Sequence, residues 1–128
     1  MSAMIDHTGI RTLELERSVA FYAKALAPLG YVVSKRIPHA AGFGVPGPDG
    51  DPGGDFWIGE AEPHTPRNHI AFAAASRAQV DAFHAAALAA GGTDNGKPGI
   101  RALYHPHYYA AFVLDPDGYN IEAVYHRG

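Results

Sequence analysis

No cysteine occurs among the 128 residues, which removes disulfide frameworks and thiolate chemistry together. Long apolar runs are missing too. Nothing approaches the about 18 consecutive apolar residues of a membrane span. Nor is there a basic surplus. Ten Lys and Arg against thirteen Asp and Glu leave a net charge of -3, which argues against a nucleic-acid partner. The opening MSAMIDHTGI lacks the basic and apolar regions of a secretion signal, so a cytoplasmic protein is the expectation. With 47% hydrophobic and 18% charged residues, the chain reads as one domain able to bury a core. Any metal must then be held by His, Asp, Glu or backbone oxygen, and the eight histidines make that worth following.

What is present is a doubled plan. The pattern predicts a strand over Ile5 to Arg11, with His7 near its start, and a helix over Ser18 to Leu29 ended by Gly30. Strands follow over Tyr31 to Ile37, Ala41 to Val45 and Asp55 to Gly59, with a Pro- and Gly-rich loop at Pro46 to Gly54. After a polar linker the order restarts. Asn68 to Ala74 alternates as a strand with His69 near its start, and Ser76 with Gln79 forms a capping box. The helix it opens runs to about Ala90 and stops at Gly91-Gly92. Ile100 to Tyr104 is read as a strand. Asp115-Pro116-Asp117-Gly118 then joins Ala111–Leu114 to Tyr119–Tyr125 as a hairpin. An offset of 62 carries His7 onto His69 and Phe21-to-Gly30 onto Phe83-to-Gly92, with six of ten residues identical. The chain therefore reads as two βαβββ units, about 4–60 and 67–126.

Three residues stand out. In the last strand, alternation sets Glu122 on the opposite face from Ile121 and Ala123. A carboxylate in so apolar a strand must be paired, liganded or neutralised. A buried pair with Arg11 or Arg101 is one solution. Two imidazoles, His7 and His69, are the other, because related units can turn their first strands toward one cavity. Two His and one carboxylate with open positions suit catalytic Fe, Mn, Zn or Ni.

The segments IDHTGI, SVAFYAKALAPLGY, NHIAF and AFVLDPDGYNIEAVY resemble the vicinal oxygen chelate superfamily. Its members include glyoxalase I, extradiol dioxygenases, fosfomycin-resistance transferases and bleomycin-resistance proteins. The resemblance implies an α+β fold in which two βαβββ repeats form a curved, partly closed mixed sheet around a cavity. It carries the metal ligands onto His7, His69 and Glu122. Glyoxalase I adds a fourth ligand on strand 4, where Glu60 is the candidate. The implied activity is a divalent-metal-dependent, glyoxalase-like lyase or isomerase reaction on a small oxygen-chelating substrate. An Fe(II) extradiol-type dioxygenase and a metal-free bleomycin-resistance-type drug binder are the alternatives, and the family's habit implies a homodimer.

Tyr104 to Tyr109 is the other unusual stretch. His105, His107 and Tyr109 are candidates for substrate contact or a general base, against a loop whose aromatics pack and whose imidazoles stay wet. Arg11 and Arg101 are candidate anchors for an anionic substrate, with salt bridges as the plainer role. His84 and His126 read as surface residues.

Overall fold

Apolar alternation and two glycine-stopped helices lead to the same βαβββ order twice. The computed structural model describes residues 5–47 and 54–127. The first unit runs β1 (Thr8–Thr12), α1 (Leu15–Ala25), β2 (Val32–Ile37), β3 (Ala40–Gly44) and β4 (Phe56–Glu60). The second repeats it as β5 (His69–Ala73), α2 (Arg77–Ala89), β6 (Thr93–Ile100), β7 (Tyr109–Leu114) and β8 (Asn120–Tyr125). Each unit makes one four-stranded mixed sheet, ordered β1-β4-β3-β2 and β5-β8-β7-β6. In both, the first strand pairs parallel with the last. The two sheets do not close into a barrel. Among the described residues no helix is long and apolar enough to cross a membrane.

Several boundaries differ from the expected ones, each for a local reason. β1 opens at Thr8 instead of Ile5, which leaves His7 just ahead of it. The first helix begins earlier, at Leu15, because that side chain is buried in the core. Regular helix ends at Ala25, since Pro28 has no N–H to continue it. A 3-10 turn over Ala27–Leu29 follows and stops at Gly30, whose φ of 89° suits glycine. The Ser76 cap forms as expected. Its hydroxyl accepts from the Gln79 N–H at 3.1 Å, and the Gln79 side chain accepts from the Ala75 N–H at 2.7 Å. The strand expected at Ile100 to Tyr104 lies earlier, at Thr93–Ile100, and residues 101–108 form the loop into β7. The loop expected at Pro46 to Gly54 falls mostly on residues 48–53, outside the described ones.

One aromatic core serves both units. Tyr22, Phe43 and Phe56 cluster beneath α1, and Phe56 meets Phe72 of the second unit edge to face at 5.2 Å. The helices also touch one another. Each sheet thus has one face on this core and one face left open. In β5, Ile70 and Phe72 point inward while His69, Ala71 and Ala73 point out.

The units are joined most tightly at the turn before β8. Asp115 accepts from its own turn, the N–H groups of Asp117 and Tyr119 each at 2.9 Å, and from the Tyr22 hydroxyl at 2.5 Å. Asp117 accepts from Thr12 at 2.6 Å, Ser18 at 3.2 Å and Arg17 at 2.6 Å. The Tyr119 hydroxyl donates to the Arg11 carbonyl at 2.6 Å and accepts from the His64 N–H at 3.0 Å. Burial lifts the Asp115 carboxyl above its ordinary range, although the hydrogen bonds from Tyr22, Tyr119 and Asp117 pull it down.

Asp115→Ala would strand the fully buried Tyr22 hydroxyl and two turn N–H groups. The expected loss is about 3 kcal/mol in urea unfolding, against about 2 kcal/mol for Tyr22→Phe, which takes the donor from Asp115 Oδ2 but leaves Oδ1 with both turn N–H groups. Equal losses for the two variants would show that the turn does not depend on the carboxylate.

Candidate functional site

The open face of the second sheet holds the candidate site. Across it the register aligns Ala71 of β5, Glu122 of β8 and Phe112 of β7. Alternation places all three on the face away from α2, with His69 two residues before Ala71. The Glu122 side chain is only 3% exposed, whereas His69 is 45% exposed at the rim.

His69 Nδ1 lies 2.7 Å from the Asn120 carbonyl, which can only accept, so Nδ1 carries the proton. In the neutral ring Nε2 is then a lone pair, and it faces Glu122 Oε1 at 2.9 Å. Two acceptors at that distance must share a proton or a cation. The other carboxylate oxygen, Oε2, accepts from the Tyr108 hydroxyl. Phe112 stacks against the His69 ring at 6.1 Å and 27°. Glu122 is thus satisfied by His69 and Tyr108, and neither Arg11 nor Arg101 takes the role of its ion-pair partner.

The remaining candidates stand elsewhere. His7 is 60% exposed on the first unit, its Nδ1 2.7 Å from Asp6. A cleft of about 310 Å³ opens between the start of β1 and β5, lined by Asp6, Thr8, Tyr31, Asp55, Ala71 and Ala73, but His7 is not among its walls. Glu60 pairs with His39 at 2.5 Å and shares the core-facing parity of Ile58. By sheet register the residue matching Glu122 in the first unit is Trp57, because Gly9 pairs with Trp57 as Ala71 pairs with Glu122. Tyr109 turns to α2 and donates to Asp81 at 2.6 Å, away from the Glu122 face. His105 Nε2 meets His126 Nδ1 at 2.9 Å, and the His107 N–H donates to His105 Nδ1 at 3.1 Å. His84 is no surface residue: it is 12% exposed and bonded to Asp94 at 2.9 Å. No cluster of three metal-ligating side chains forms among the described residues.

Tyr108 and Phe112 are the site residues that sequence reasoning missed. Both share the parity of Glu122's cross-strand neighbours, four residues apart on one chain. Extending the alternation of β7 one residue backward would have found Tyr108. Burial first, then the hydrogen bond to Glu122, pushes the Tyr108 phenol well above its ordinary value. It is a donor at neutral pH, not a base.

Paired βαβββ units with an imidazole and a carboxylate on an open sheet face define the glyoxalase-like class of fold. The chain belongs to the Glyoxalase/Bleomycin resistance protein/Dioxygenase superfamily, whose model matches residues 4–123. Among solved structures it is similar to a glyoxalase/bleomycin resistance protein from Albidiferax ferrireducens T118. That match is 31% identical, covers 98% of this chain and 100% of that one, and has a TM-score of 0.79. A family enzyme from Burkholderia phytofirmans PsJN, 19% identical, covers 98% and 100% with a TM-score of 0.72. The oxidase ChaP-H2, 21% identical, covers 99% and 96% with a TM-score of 0.68. The last two establish likeness of fold alone. A search of curated proteins returned no match.

Burial and Asp115 raise the Tyr22 phenol, burial and Asp55 raise Tyr31, and a hydrogen bond to Asp81 with burial raises Tyr109. With Tyr108, four phenols keep their protons in the folded chain where the unfolded chain would lose them. Their stabilisation is complete below about pH 10 and is lost as pH rises through the folded values. Urea midpoints should therefore fall above about pH 10, and less steeply in Tyr108→Phe. An unchanged slope in that variant would show that the Tyr108 phenol is not held by Glu122.

Proposed function

We propose that this chain is a divalent-metal-dependent enzyme that acts, as a glyoxalase-like lyase or isomerase, on a small substrate chelating through neighbouring oxygens. The observation that carries the proposal is the His69–Glu122 pair, whose facing acceptors leave room for one cation. The donors fit such an ion. An imidazole nitrogen and a carboxylate oxygen that meet at 2.9 Å could hold one ion in place of the proton they share. Nitrogen and carboxylate ligands of this kind suit Fe, Mn, Zn or Ni.

His69 and Glu122 would hold the ion. His69 is already oriented by its Nδ1–H on the Asn120 carbonyl, and Glu122 by the Tyr108 hydroxyl, which leaves Oε1 free for ligation. Two ligands are too few for tight binding. The third is His7 of a second copy in a homodimer, since within one chain His7 lies on the first unit beside Asp6. Exposed apolar side chains on the first unit, Ile5, Val32, Val33 and Ile37, offer surface for such a pairing. When bound, the metal supplies Lewis-acid polarisation of a substrate oxygen. Phe112 and Ala71 supply an apolar floor beside it.

A metal-free binding protein of the bleomycin-resistance kind is the second reading, favoured by the want of a three-donor cluster among the described residues of one chain. Metal content separates the two. The native protein should carry about one ion per chain, and His69→Ala or Glu122→Gln should carry almost none while folding normally. Iron would direct assays to extradiol cleavage, and zinc, nickel or manganese to isomerase chemistry. Mixed dimers of His7→Ala with Glu122→Gln chains should regain one intact site, because one copy still supplies His7 and the other Glu122. No metal in the native protein after reconstitution with each ion would leave the binding reading.

A further inference from the structure

We propose that Arg101 anchors the carboxylate of an anionic substrate whose body crosses the edge of the Phe112 ring and whose far end reaches His69 and Glu122. The proposal rests on these residues lining the functional site, and it names the class of molecule they take.

The argument starts from an anomaly in β6. TDNGKPGI has little that favours a strand, and its pairing with β7 slips between Asp94 and Gly96 and again between Gly96 and Gly99. The two glycines have a common neighbour. A Cβ on Gly96 would stand 3.1 Å from Arg101 Nη2, and one on Gly99 would stand 3.2 Å from Nη1. Bare backbone is thus the bed on which the guanidinium lies. Nη1 donates to the Gly99 carbonyl at 2.8 Å and Nη2 to the Lys97 carbonyl at 2.7 Å. The charge sits 5.4 Å from the centre of the Phe112 ring.

Carbonyls and a ring position a cation without neutralising it. Two of the five guanidinium N–H groups are used, and Arg101 has no carboxylate partner among the described residues. The side chain is half-buried and its rotamer is already chosen, so an incoming anion would meet an ordered donor fork.

Its position decides what that anion is attached to. The strand order β5-β8-β7-β6 puts Arg101 on the β6 side of Phe112 and His69 on the β5 side. Glu122 is the direct register partner of Phe112. A molecule held by its carboxylate at Arg101 therefore crosses one aromatic ring before it meets the acid and the imidazole. With Arg101 over one face of the ring and His69 stacked on the other, an apolar body can cross along the Phe112 edge, and a carboxylate suits the fork.

Benzoate and benzamide are the matched probes, alike in shape and different in charge. Titrated into metal-free native protein, benzoate should bind at least about tenfold more tightly than benzamide. Arg101→Gln should abolish that preference. Gly99→Ala keeps the charge and crowds only the far end of a flexible side chain, and should weaken benzoate several-fold. Metal uptake is measured on the same samples and should be unaffected in both variants. Equal binding of the two probes, or a preference that survives Arg101→Gln, overturns the anion site. Loss of metal uptake by native protein alongside a retained benzoate preference removes the metal reading and leaves the anion site standing.

Discussion

The turn at Asp115 to Gly118 is the constraint on which the rest of the molecule depends. It belongs to the second unit, yet the Asp117 side chain is satisfied by Thr12, Arg17 and Ser18 of the first, and one Asp115 oxygen by Tyr22. A buried carboxylate left without these donors would be costly, so the two units cannot separate cheaply. The strand that leaves the turn carries Tyr119 into the join and Glu122 to the opposite face three residues later. Holding the units together and holding the site in place are therefore one task for one hairpin.

The doubled architecture was legible because periodicity reports burial, and burial dictates which face of each strand meets the core. Ile70 and Phe72 inward with His69 outward is a pattern that the sequence states openly. So is the Ser76 cap, a local matter of four residues. The first helix cap was not legible. Glu14 caps nothing with its side chain, and its N–H is taken by Thr12, whose role follows from the Asp117 contact 105 residues away. The position matching Glu122 in the first unit was hidden for a related reason. A constant sequence offset points to Glu60, but hydrogen-bonded register selects Trp57. Loops of different length break an offset, whereas the ladder counts residues across the sheet.

Of the candidate residues, the structure brings together His69 and Glu122 and leaves His7 apart. Sequence reasoning treated the symmetry-related histidines as facing one cavity, since equal positions in repeated units suggest equal surroundings. The fold breaks that symmetry. Each sheet has its own open face, and His7 has Asp6 for company where His69 has Glu122, Asn120 and Phe112. The asymmetry lies in the last strand of each unit, Trp57 in one and Glu122 in the other. One face carries His69 against a buried carboxylate, while the other carries His7 beside Asp6 and an indole at the matching position.

The poorest reading concerned β6, and its failure has a physical meaning. The strand expected at Ile100 to Tyr104 forms instead over Thr93–Ile100, where glycine and proline do weaken it: the ladder slips twice within eight residues. A strand that forms despite such a sequence must gain something from the residues that weaken it. Here the missing side chains at Gly96 and Gly99 make space for a guanidinium to fold back on its own strand. The cation then rests on Phe112, beside the buried carboxylate, instead of extending into water. Stability has been given up at one edge of the sheet to hold a charge at a chosen place. Such a local conflict persists where a ligand is the missing partner, and the unneutralised Arg101 identifies the sign of its charge.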